Sequence, residues 1–293
     1  MTRSCSAVDV SRTFRTSIVR CVAALLVVAA LLPAAAAVGE TSSMRPIVFS
    51  GSDSLFQIGE ELTYNVSYSH IDIGQVRIKL IEKSTVSGRT SYKAMAYIDS
   101  YKGLPFVDLH AIYEDAFDAS GYSVWFRSRL KEDEAWRSFV YQFDYGHHAM
   151  FIEQRMWGSD PVIGRDTLRL DTLYQDGLSL FYLARTLVMD RQHASIPVVV
   201  NERKGNTTID FTVEHAEEEI DAVNYPVDVV HFTGEAGFVG ILGLTGGFEG
   251  WFSNDAARVP IIAKMKVILG SVRIELMSWK REGWAPPRAK GGR

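Results

Sequence analysis

Leu62-Thr63-Tyr64-Asn65-Val66-Ser67-Tyr68 alternates apolar and polar residues without a break. An extended strand therefore places Leu62, Tyr64, Val66 and Tyr68 on one side and Thr63, Asn65 and Ser67 on the other. The same period returns downstream. A turn is expected around Asp72 to Gly74, followed by Val76, Ile78 and Leu80 alternating with Arg77 and Lys79. Ser87-Gly88 then introduces a strand through Tyr92, Ala94, Ala96 and Ile98. Leu109 to Phe117, Tyr122 to Arg129, Ser138 to Phe143 and Met150 to Met156 continue the series, broken by Ser120-Gly121, the charged Lys131 to Glu134, and Gly146. Aromatic and β-branched residues fill the apolar positions, as half-buried antiparallel strands require.

One segment changes period. Asp176-Gly-Leu-Ser-Leu-Phe-Tyr-Leu-Ala-Arg-Thr-Leu reads as a helix over about residues 176–188, capped by Asp176. Leu178, Phe181, Tyr182 and Arg185 lie on one side, and Leu180, Leu183, Ala184 and Leu187 on the other. A helix so apolar all round must be enclosed, most simply by the concave face of a bent sheet. Strand patterns resume at Ile196 to Val200, Thr207 to Val213, Val227 to Phe232, Gly250 to Ser253, Val259 to Leu269 and Ser271 to Trp279. The predicted fold class is mainly β: a curved antiparallel sheet or partly open barrel around one helix, forming a single domain over residues 54–280. Residues 281–293, basic and rich in Gly and Pro, are expected to be a disordered tail.

The beginning of the chain has a different character. Arg3, Arg12, Arg15 and Arg20 precede an apolar run from Cys21 to Leu32, and Pro33 with Ala34 to Ala37 supplies small residues for cleavage, so residues 1–37 read as a secretory signal. The run falls short of the roughly 20 residues of a permanent span, and no transmembrane anchor is expected. Residues 38–53, small and polar, read as a flexible linker. The expected location is outside the cytoplasm, in the periplasm or against the envelope.

The full chain of 293 residues is 47% hydrophobic and 23% charged, with a formal net charge of -4. Cleavage after Ala37 would remove those four arginines and one acidic residue, Asp9, shifting the charge from -4 to -7. An acidic product does not attract phosphate backbones, and no nucleic-acid partner is expected. Both cysteines, Cys5 and Cys21, lie in the segment removed. Disulfides, thiolate metal sites and cysteine nucleophiles are thereby excluded from the expected product.

Three blocks carry a family likeness: Phe56-Gln-Ile-Gly-Glu-Glu-Leu-Thr-Tyr-Asn-Val, Asp176-Gly-Leu-Ser-Leu-Phe-Tyr-Leu-Ala-Arg, and Trp251-Phe-Ser-Asn-Asp255-Ala-Ala-Arg-Val-Pro-Ile. In this order they resemble the bacterial family called domain of unknown function 3108 (DUF3108), over roughly residues 54 to 278. The resemblance implies an exported, β-rich envelope protein and names no activity. A more distant analogy of fold links it to curved-sheet carriers that move lipid-modified proteins across the periplasm.

Candidate ligand-binding residues are Phe181, Tyr182, Arg185, Phe238, Trp251 and Asp255. Phe181 and Tyr182 would border any void beside the helix. Arg185, if enclosed, needs a carboxylate, for which Glu60, Glu61 and Asp255 are the available mates. Phe238 lies in a run with glycine at 234, 237, 240, 243, 246, 247 and 250, which is either a greasy lid or a hairpin whose glycines serve bulges and turns. Trp251 could offer a flat face to a ligand. Asp255 could accept backbone N–H groups in a turn, with Arg258 as its ion partner.

Catalytic sets are thin. Ser179 lacks a Gly-x-Ser-x-Gly setting, and none of His70, His110, His147, His148, His193, His215 and His231 sits at a metal-ligand spacing. No catalytic residue, metal or cofactor is expected. With 15 Phe, 12 Tyr and 6 Trp, the pattern points to a non-catalytic protein that binds a lipid-like envelope component. A partner-binding or structural module of an envelope assembly is the alternative, and a carboxylate-dependent hydrolase a third.

Overall fold

The computed structural model describes residues 55–86, 89–104, 108–132, 135–156, 161–238, 240, 246–266 and 271–290. Residues 1–37, read above as a signal, residues 38–53, read as a linker, and the middle of the glycine run (239 and 241–245) lie outside these residues. The first half of the chain is a meander: β1 (Glu61–Tyr68), β2 (Ile71–Val86), β3 (Arg89–Ser100), β4 (His110–Asp118), β5 (Ser123–Glu132), β6 (Ala135–Asp144), β7 (Ala149–Met156) and β8 (Val162–Arg169). A helix follows, α1 (Gly177–Leu187). The second meander comprises β9 (Gln192–Val200), β10 (Arg203–Glu218), β11 (Val227–Ala236), β12 (Gly246–Ser253), β13 (Pro260–Lys266) and β14 (Ser271–Lys280).

These strands form one sheet in the order β8-β7-β6-β5-β4-β3-β2-β1-β14-β13-β12-β11-β10-β9. All ladder pairings are antiparallel, and β1 joins β14 to unite the two meanders. The chain thus grows outward from β1 to the β8 edge, crosses through α1 to the opposite edge, and returns to β14. Among the described residues no ladder joins the edges, so the sheet is not a closed barrel. It nevertheless curls: Val199 of β9 shares a core cluster with Phe126, Tyr141 and Ile152 of β5 to β7, from the other end of the strand order. Gln175, just before α1, helps close the gap with a short parallel bridge to β9, donating from its N–H to Pro197 O at 3.0 Å and accepting at its carbonyl from Val199 N at 2.8 Å.

Local chemistry differs from expectation in three places. The first turn is Ser69–His70, two residues with positive φ (47° and 71°), as type I′ hairpins demand. Asp72 to Gly74 instead belong to β2, where the Asp72 carboxylate accepts from the Asn65 amide across the ladder at 2.6 Å. Strand β8 has no counterpart in the sequence reading, because a mostly exposed edge strand such as Val-Ile-Gly-Arg-Asp-Thr-Leu-Arg alternates weakly. Finally, residues 281–290 are not a free tail. Pro287 O accepts from Asp228 N at 2.8 Å, Ala289 N donates to Pro226 O at 2.9 Å, and the Arg288 guanidinium lies 4.3 Å from the Tyr225 ring centroid. Backbone pairing and an aromatic partner hold what composition alone marks as loose.

The described ends of the glycine run belong to the β11 and β12 strands, in register Ala236↔Gly246 and Gly234↔Phe248. A Cβ at Gly234 would meet the Phe248 ring at 2.3 Å, and one at Gly250 would meet the Phe232 ring at 2.6 Å. Each glycine leaves room for a phenyl ring from the neighbouring strand.

Candidate functional site

Helix α1 is fixed at its start by a capping box. The Asp176 carboxylate accepts from Leu178 N at 2.7 Å and Ser179 N at 3.0 Å, and Ser179 Oγ accepts from Asp176 N at 2.9 Å. The second Asp176 carboxylate oxygen accepts from Ser123 Oγ at 2.7 Å, tying the cap to β5. At the other end Arg258 donates its guanidinium to the carbonyls of Arg185 (3.3 Å) and Thr186 (2.8 Å), supplying positive charge where helix carbonyls are unpaired.

Of the three possible mates, Arg185 takes Glu60. Nη1 reaches Oε1 at 2.5 Å and Nη2 reaches Oε2 at 3.1 Å, and Nη2 also donates to Ala257 O at 2.8 Å. Glu60 accepts a second guanidinium from Arg281. Glu61 pairs instead with Lys79 at 2.8 Å, which holds its carboxyl below the usual range. Asp255 does form the expected turn, accepting from Ala257 N at 2.9 Å and Arg258 N at 3.1 Å, but Arg258 is not its ion partner. Its second oxygen accepts from the Trp284 indole at 2.7 Å, a contact that sequence spacing could not disclose.

Tyr182 is fully buried, with ring centroids at 5.0 Å to Phe117 and 5.6 Å to Phe56. Tyr182 and Arg185 therefore hold the helix in place and present no surface to a ligand. Trp251 is buried on the opposite side of the sheet. It belongs to the row Trp251↔Ile262↔Glu275↔Asn65, and Asn65 points away from Tyr64 and the helix. The Lys264 ammonium, 4.4 Å from its centroid, covers the face a ligand would need. Phe238 is half-buried beside Gly205 of β10. The six candidates accordingly do not converge.

Phe181 is the exception. It is half-buried on the concave side, its ring 6.4 Å from Tyr64, and with Val76, Tyr113 and Ile274 it forms an incompletely covered apolar fringe of the core. Cross-strand register extends this fringe. Leu276, Tyr64, Val76, Ile98, Ala111 and Leu130 occupy one continuous row from β14 to β5, and directly opposite residues share a face. Leu276, Tyr64 and Ala111 are buried, whereas Val76, Ile98 and Leu130 are only half-buried. A neighbouring row, Ala263, Ile274 and Val66, is half-buried throughout. Single-sequence reading misses these residues as a site because they look like any strand core; their signal is incomplete burial on an inward face.

A surface cleft of about 570 Å³ is lined by Glu219, Asp221, Tyr225, Arg273 and Glu275 and does not include Phe181. Among the described residues no helix is long and apolar enough to cross a membrane.

A curled open sheet wrapped round one capped helix defines a β-rich scaffold of the barrel-like kind. The chain belongs to the family described as protein of unknown function (DUF3108), whose profile matches residues 63–277. No curated protein matches it. Among solved structures it is similar to a β-barrel-like protein of domain of unknown function DUF1849 from Brucella abortus, with a TM-score of 0.50 and 12% identity over 76% of this chain and 97% of that one. A protein from Bacteroides fragilis, described as exported and as having a YmcC-like fold, aligns at a TM-score of 0.34 and 6% identity over 77% and 97%.

Proposed function

We propose that this is an exported, non-catalytic protein that holds an apolar or amphipathic envelope component against the concave face of its sheet. The observation that carries this reading is the half-buried state of Val66, Val76, Ile98, Leu130 and Ile274, inward-facing apolar side chains that the helix does not fully cover. Apolar area left uncovered costs about 25 cal/mol per Å², and an acyl chain laid along these rows with Phe181 beside it would recover that cost. The leader-like residues 1–37 support export. The ligand is bound and shielded, without bond making or breaking.

Native mass spectrometry of the protein purified gently from an envelope-containing extract tests this reading. Co-purified lipid mass that is lost in a Val76→Asp/Ile274→Asp double variant supports it, and bare protein at every step counts against it. A second reading, a partner-binding module, draws on the β8 edge, which pairs only with β7 in the sheet. Bare protein that forms a defined complex through β8 would favour it.

A further inference from the structure

Asp115 lies on the concave side of β4, fully withdrawn from water. Among the described residues no N–H or hydroxyl donor reaches either of its oxygens. Asp176, also fully buried, is the charged group that acts on it most strongly: its carboxylate accepts from Ser123 Oγ, and Ser123 pairs with Phe117, two residues along β4 on the same face as Asp115. Asp176 already accepts from Leu178 N, Ser179 N and Ser123 Oγ, and so acts as an acceptor only. Two carboxylates this near each other cannot readily both stand ionised away from water, and the one without donors is the one that keeps a proton.

We infer that Asp115 is a proton-loaded carboxylic acid that donates to Asp176 and so latches the first turn of α1 to β4, and that loss of this proton releases the latch. The proposal goes beyond ligand binding and stands whether or not the concave face takes a lipid. Among the described residues, the groups around the pair carry no cation able to replace the proton. Tyr182 faces the pair from α1, while Tyr145, with Asp118 and Tyr122 near it, lies on the Asp176 side. The Glu60–Arg185 pair lies beyond Tyr182, with Arg185 committed to Glu60.

Burial, reinforced by Asp176, raises the Asp115 pKa well above the ordinary carboxyl value. The native state therefore binds this proton more tightly than the unfolded chain. The stabilisation it brings is complete below the ordinary value of 3.8 and is lost as pH rises through the raised one. An alkaline shift, not acidification, opens the latch.

The test combines carboxyl-carbon NMR with amide hydrogen exchange on the wild-type chain and on Asp115→Asn, whose amide can still donate to Asp176 but does not titrate. At a pH above the ordinary carboxyl value of 3.8 the Asp115 carboxyl carbon should still resonate at its protonated position. Raising the pH through its titration should speed exchange at Leu178, Ser179 and Leu180 by at least about tenfold beyond the intrinsic base-catalysed increase, one pKa unit being a factor of ten in proton affinity. Asp115→Asn should lack this extra opening. An Asp115 that ionises at or below the ordinary carboxyl value of 3.8, or the same extra opening in Asp115→Asn, overturns the proposal. Should the variant fail to fold, the position of the wild-type resonance decides.

Discussion

The guanidinium of Arg185 grips the carboxylate of Glu60 with two nitrogens, at 2.5 and 3.1 Å, and both side chains are withdrawn from water. This contact ties the middle of the structure to the segment immediately before β1. Because Glu60 also accepts from Arg281, one carboxylate compensates two cations.

That imbalance makes the two partners unequal. Glu60→Gln leaves two guanidiniums without their anion and is expected to cost about 3–5 kcal/mol of unfolding free energy. Arg185→Met leaves Glu60 paired with Arg281 and should cost less. Urea denaturation of the two variants checks the order; an equal or reversed cost would show that Arg281 does not share the carboxylate.

Adjacent residues on α1 should also behave differently. Tyr182→Ala removes a fully buried ring packed on Phe117 and Phe56, at an expected cost of roughly 3–5 kcal/mol. Phe181→Ala, at a half-buried position, should cost distinctly less and weaken retention of a lipid-like ligand. Thermal melts together with lipid content by mass spectrometry separate the two effects.

The C-terminal segment should act as a clasp. Trp284→Phe deletes the indole N–H that Asp255 Oδ2 accepts at 2.7 Å, and a hydrogen bond to a charged group is worth about 1.5–3 kcal/mol. Ending the chain at Lys280 should lower stability further, since the backbone bonds at Pro287 and Ala289 go as well. A truncated chain that melts with the full one would mean these contacts add nothing.

Glycines of the β11–β12 hairpin divide by what stands opposite them. Gly250→Ala drives a methyl into the Phe232 ring and the Ile262 carbonyl, and overpacking of this kind costs about 1–3 kcal/mol. Nothing lies within 4 Å of a Cβ at Gly247, so Gly247→Ala should be close to neutral. Chemical denaturation of the pair distinguishes a packing requirement from general flexibility.

Much of this architecture is legible in the residues themselves. The alternation at Leu62 to Tyr68 gives strand β1 and its inward face, and the shift of period at Asp176 gives the capped helix, because both signals come from local geometry. What escapes is set by distant contacts. Glu60 and Glu61 are neighbours of equal charge, and only the fold aims one at Arg185 and the other at Lys79. The Trp284 indole reaches Asp255 across 29 positions, so a tail that reads as loose is pinned. Val76 and Ile98 look like core residues in the sequence, and their incomplete burial depends on how far α1 covers the sheet. Asp115 escapes too, since a lone acidic residue in a strand announces neither burial nor a second carboxyl beside it.

Photocrosslinking with a phospholipid that carries a diazirine in its acyl chain tests the central claim most directly. The account predicts adducts at Val76, Tyr113, Phe181 and Ile274, on the concave side. Absence of adducts, or adducts confined to residues exposed elsewhere, such as Ile71, Phe151 and Ile163, would contradict it.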